Sequence, residues 1–249
     1  MKKILVFAAV AALTVGSLTA QNNFRGVITY SVTSTGVQNF DIPAQIANPE
    51  IKVYDDKVLT SSPLFASGMA DNVLVDGLKQ YTCMDLSQLM MYFAQMDIEL
   101  DYKGSSKILL KHEYKQSDVD SLTIPVTEGF YIEYVDGEPR TIAGVSAKKA
   151  IIHAFNDEGE DNQTVIWYND EMGPAVNFLF NGIRGVALEY AMNLGEGRQI
   201  TLSANEIKKG KVKEVDMLLP SGYEELNEEQ AKRLFEQIQE ELEYLQDAD

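Results

Sequence analysis

The chain has 249 residues, with 21 Lys or Arg against 38 Asp or Glu, for a formal net charge of −17. A field of that sign repels nucleic acid and anionic bilayer surfaces, so nucleic-acid binding is excluded as a function class. A lone cysteine, Cys83, cannot close an intramolecular disulfide, so stability must come from a hydrophobic core, which a chain of this length is able to bury.

The first element in chain order is a leader. In MKKILVFAAVAALTVGSLTA, Lys2 and Lys3 precede an apolar run from Ile4 to about Val15 that ends in small residues, the layout of a secretory signal peptide cut after Ala20. The run is shorter than the ~20 apolar residues a helix needs to cross a bilayer. Gln21, with no cysteine to accept a lipid, is the expected first residue of the mature chain. The 21 basic residues less Lys2 and Lys3 leave 19 against 38 acidic ones, so the mature charge is about −19.

FRGVITYSVT at 24–33 puts Phe24, Ile28, Tyr30 and Val32 on one face by the two-residue period of a strand. Similar short runs follow: EIKVYDD, NVLVDGLKQYTCM, QLMMYFAQ, KILLKHEYK, DSLTIPV, GFYIEYV, RTIAGVSAKKAIIHAF, QTVIWYN, VALEYAMNL, RQITLSANEIKKG and KVKEVDML. Glycine, proline, asparagine or aspartate breaks each of them. A dozen short strands without an intervening helical pattern predict a mainly β, predominantly antiparallel sheet. VDGEP (135–139), NDEGED (156–161), GEG (195–197) and KKGK (208–211) read as hairpins, the last pairing the final two strands through Gly210.

Two stretches depart from this pattern weakly: 63–72 is a faint helical candidate, and 84–97 reads equally as strand or helix. Residues 41–49 read as loop or insertion. At the C-terminus the character changes outright. Ala231, Leu234, Phe235, Ile238, Leu242 and Leu245 fall at helical spacing behind Asn227 as cap, with Glu228 and Glu229 in the first turn, which predicts an amphipathic helix over 227–246.

NGIRG at 181–185 is not a phosphate loop, because alternating strand residues follow Gly185 where a helix would be needed. It reads as a turn entering a strand. No cysteine or carboxylate stands at metal-ligand spacing around His112 or His153, so zinc is not expected. NDEGED lacks the full alternating oxygen pattern of a calcium loop and its closing glutamate. No GxSxG elbow is present, despite the glimpse of one at Gly144-Val145-Ser146. Cys83, near only Lys79, reads as a small buried filler. No catalytic constellation, cofactor site or metal site emerges.

An apolar binding surface is the remaining candidate. Unbranched methionines suit surfaces that adapt to variable apolar partners, and residues 84–98 hold many. The candidate ligand-binding residues are Leu89, Met90, Met91, Phe93, Met96, Trp167, Phe178 and Phe180. Ordinary core filling is the competing reading for each, and Trp167 is most simply a core anchor.

Taken in order, FRGVITYSV, RTIAGVSAKKAII, TVIWYND, NGIRGVALEY and LLPSGYEEL resemble the exported Bacteroidetes-type proteins of the GLPGLI and DUF4412-like families. The likeness spans roughly Phe24 to Leu226. Ile183 and Arg184 stand where the name-giving corner has leucine and proline. What the resemblance implies is a large curved antiparallel sheet, an open half-barrel similar to the lipoprotein carrier and its receptor, which hold acyl chains in the hollow. It brings no catalytic residues. The expectation is therefore an exported, non-catalytic protein of the periplasm or outer-membrane periphery, one domain over 21–249, binding a lipid or acyl chain on the concave face. The alternative is a cell-envelope interaction protein whose acidic C-terminal helix meets an envelope protein partner. A hydrolase with paired carboxylates ranks last.

Overall fold

The computed structural model describes residues 23–35, 48–62, 64, 70–156, 158–195 and 198–247. The leader, residues 41–47 and most of the faint helical stretch 63–72 lie outside them, and residues 70–72 open a strand instead.

Twelve strands form one sheet among the described residues: β1 (Arg25–Thr35), β2 (Glu50–Tyr54), β3 (Lys57–Thr60), β4 (Ala70–Asp76), β5 (Lys79–Asp85), β6 (Lys107–Glu113), β7 (Gly129–Ile142), β8 (Val145–Phe155), β9 (Asp161–Asn169), β10 (Val186–Gly195), β11 (Arg198–Lys209) and β12 (Glu224–Leu226). Their order is β12-β6-β5-β4-β3-β2-β1-β11-β10-β9-β8-β7. The sheet is curved and open, with β12 and β7 at its edges. Pairing is antiparallel except between β12 and β6. Two meanders, β2–β6 and β7–β11, therefore spread from a centre where β1 pairs with both β2 and β11.

Alternation decides which side chains are covered. Ile28 and Tyr30 of β1 are fully buried, and Val27, Thr29 and Ser31 point the other way. Bulges at Thr29/Tyr30 against β11 and at Ala187/Glu189 against β9 bend the strands. The Tyr30 hydroxyl donates to the Ala187 carbonyl at 2.8 Å, so its side chain reaches across β11 to the second bulge.

One face of the sheet carries the core. Over β1–β3 and β7–β11 the segment 170–185 folds down onto it, burying Met172, Phe180 and Ile183 against Ile28, Ile166, Leu188 and Leu202. Over β4–β6 and β12 it is covered by α1 (Ser87–Gln95) and α3 (Glu228–Asp247), with Phe93, Leu234 and Ile238 against Val73, Met84 and Ile108. Leu179 packs against both groups. The opposite face carries a small cluster in which Val212 and Met217, around the 3₁₀ turn Glu214–Met217, rest on Leu59 and Leu74.

Several local expectations change. QLMMYFAQ, in the stretch that reads equally as strand or helix, is helix α1, and DSLTIPV contains the end of α2 (Gln116–Ser121) and coil. VDGEP is not a turn: β7 runs through it with an irregular register between Val135 and Arg140, and the turn falls at Ala143-Gly144, both at positive φ. KVKEVDML forms no strand. Gly210 does take a positive φ of 84°, but its N–H bonds the Arg25 carbonyl and β11 pairs with β1 and β10 instead. NDEGED does join β8 to β9, and the NGIRG corner opens β10. The corner starts with Asn181 in the left-handed region, and a Cβ on Gly185 would fall 2.0 Å from the Asn169 carbonyl oxygen, so only glycine fits there.

Candidate ligand-binding site

Helix α1 begins at an aspartate two residues upstream. The Asp85 carboxylate accepts from the Ser87 N–H at 2.9 Å and from the Ser87 hydroxyl, and these bonds hold its pKa below the usual range. The helix ends in a Schellman motif: Asp97 is left-handed at φ 58°, its N–H bonds the Ala94 carbonyl, and the Ile98 N–H bonds the Phe93 carbonyl at 2.9 Å. That closure brings Ile98 onto Phe93, its usual hydrophobic companion in this motif.

The two side chains wall a cleft of about 210 Å³ that also takes Met90, Leu100 and Tyr102, with Glu99 and Lys103 among its lining. The 98–106 loop that supplies most of its lining is fixed by hydrogen bonds. Tyr102 donates to the Ser105 carbonyl at 3.0 Å, and the Ser105 N–H donates to Glu224 of β12 at 2.7 Å. Burial, then Glu224, pushes the Tyr102 hydroxyl above its ordinary pKa. The Lys103 ammonium donates to the Leu100 carbonyl.

The eight residues singled out from sequence do not share one surface. Met90 and Phe93 line the cleft, and Leu89 packs in the same cluster. Met91 and Met96 face solvent from the outer side of α1, 57% and 49% exposed, beside Tyr92. Phe178 stacks on Tyr114 with ring centres 3.4 Å apart. Phe180 is buried in the core, edge-on to Tyr190. Trp167 alternates with the buried Ile166 and Tyr168 and so lies on the opposite face of the sheet, half-buried beside the Arg140 guanidinium.

Sequence reasoning missed one polar constellation. On that opposite face His153 of β8 is bracketed by Asp161 of β9, 2.8 Å from Nδ1, and Glu133 of β7, 3.1 Å from Nε2. The Tyr131 ring stacks parallel on the imidazole. Burial pulls the His153 pKa down, but the bonds to Asp161 and Glu133 outweigh it and the value is raised. The three ionisable residues come from three successive strands, and only their β register, Tyr131 opposite His153 and His153 opposite Gln163, could have signalled the meeting. Among the described residues no group of three His, Cys, Asp or Glu is disposed to hold a metal ion. Nor, among the described residues, is any helix long and apolar enough to cross a membrane.

No family model and no curated protein matches the chain, so the GLPGLI and DUF4412-like resemblance gains no model of its own. Among solved structures the chain is similar to a LolA superfamily protein of Nitrosomonas europaea, at 9% identity and a TM-score of 0.29, covering 80% of this chain and 93% of that one. It is also similar to a domain described as an outer membrane lipoprotein-sorting protein from Vibrio parahaemolyticus, at 7% identity and a TM-score of 0.22, covering 78% and 89%.

Proposed function

We propose that the chain is an exported, non-catalytic binding protein that holds the apolar chain of a lipid in the cleft beneath α1. The observation that carries this reading is the helix itself. In a protein with 24% charged residues, SQLMMYFAQ carries no charge, gives Met90 and Phe93 to the apolar side of a cleft that Glu99 and Lys103 also line, and leaves Met91 and Tyr92, with Met96 just beyond its end, in water. Packing alone does not call for both faces of a surface helix to be apolar.

The rest of the covered face is filled by the protein's own residues, so the ligand takes the margin of that filling rather than an empty trough. At about 210 Å³ the cleft holds one segment of chain, and Met91, Tyr92 and Met96 offer the continuation. Each Å² of apolar surface removed from water contributes about 25 cal/mol. Leu89 supports the wall, and Trp167, Phe178 and Phe180 serve the sheet.

Native mass spectrometry of the protein purified from its own periplasm, with titration by a fluorescent monoacylglycerol, which carries no carboxylate, tests the reading. A co-purifying lipid and saturable uptake that is lost in Leu100→Trp are expected. A ligand-free spectrum together with no uptake overturns it.

A further inference from the structure

A second cleft, of about 390 Å³, opens between α2, β7 and the 170–185 segment, and shares no lining residue with the one beneath α1. Val119, Leu122, Tyr134 and Val176 supply apolar wall, with Arg184 and Asp120 among its charged lining. We propose that this cleft binds a small amphiphilic carboxylate, with its anionic head on the Arg184 guanidinium and its apolar body along those four side chains. The site lies beyond the function proposed above and takes its own ligand class.

The charge pattern supports it. In this strongly acidic chain Arg25 sits on Asp55, Arg140 on Glu189 and Arg233 on Glu229. Arg184 instead lies over the face of the Tyr134 ring, 4.4 Å from its centre, and its guanidinium meets no carboxylate among the described residues. A guanidinium over an aromatic face still has N–H donors free of that ring, and a carboxylate can take two of them at once.

The backbone around it is fixed in advance. The Arg184 N–H donates to the Tyr134 hydroxyl at 3.2 Å, and the next N–H, of Gly185, donates to the Pro174 carbonyl at 3.1 Å. Gly182, at φ +79°, lets Leu122 close in where a Cβ would stand 2.5 Å from the Leu122 methyl. A pre-set site loses less entropy on binding. Asp120 in the same lining selects for a single negative charge on the ligand.

Octanoate and octanol, titrated calorimetrically into the full mature chain, test the proposal. Octanoate is expected to bind at least about tenfold more tightly than octanol, the worth of one charge-assisted contact. Arg184→Gln should level the two, Asp120→Asn should tighten octanoate, and Ala175→Trp, placed on an exposed lining residue, should block both. Equal binding of octanoate and octanol by the unaltered protein, or octanoate affinity unchanged in Arg184→Gln, overturns the proposal. Loss of octanoate binding in Leu100→Trp but not in Ala175→Trp also overturns it, and leaves the α1 cleft as the one that binds.

Discussion

His153 shows how one residue can make the outer part of the sheet sensitive to pH. Its imidazolium ties β7 to β9 through Glu133 and Asp161, with Tyr131 stacked on it and Gln163 donating to the same Asp161 carboxylate. A histidine whose folded pKa lies above its ordinary 6.5 contributes stability that is fully present below that value and is lost as pH rises through the folded pKa. His153→Gln should therefore cost about 1–2 kcal/mol in urea unfolding at about pH 5 and much less at about pH 9. A cost independent of pH would mean that packing against Tyr131, not charge, is what the residue supplies. None of this was legible in the sequence, because Glu133, His153 and Asp161 meet only through strand register.

Elements were legible to the extent that their signals are local. The corner at 181–185 and the helix behind Asn227 were both readable: the Asn227 side-chain oxygen accepts from the Gln230 backbone N–H, and the Asn227 backbone N–H donates to the Gln230 side-chain oxygen. The helix α1 was not readable. Its apolar residues surround the axis, it has no side-chain N-cap of its own, and its closure rests on Asp97 in a conformation that costs an L-residue energy. Asp97→Gly should raise stability by about 0.5–1 kcal/mol, seen as a higher urea midpoint with unchanged slope. VDGEP misled because a bulged strand can hold the same residues as a turn. For α3, burial of Leu234 and Ile238 commits the apolar stripe to the protein's own sheet. Deleting residues 227–247 should lower the thermal midpoint whether or not any partner is present. A truncated chain that melts like the intact one, and loses a pull-down partner, would instead favour the envelope-interaction reading.

At the scale of the molecule, an antiparallel sheet followed from strand count and spacing, whereas strand order did not. Nothing local in FRGVITYSVT says that it will lie in the middle, with β2 on one side and β11 on the other. The Tyr30 hydroxyl on the Ala187 carbonyl reinforces that junction from within the core. Tyr30→Phe should cost about 1 kcal/mol, measured by denaturant unfolding, since it leaves a buried carbonyl without its donor. The same placement has a consequence for biogenesis. Thr29 must wait for Glu206, so a nascent chain carries its central strand for most of its synthesis with one flank unmatched. Long-range closure of this kind is slow, and it leaves one flank of the central strand unpaired until β11 (Arg198–Lys209) has been made.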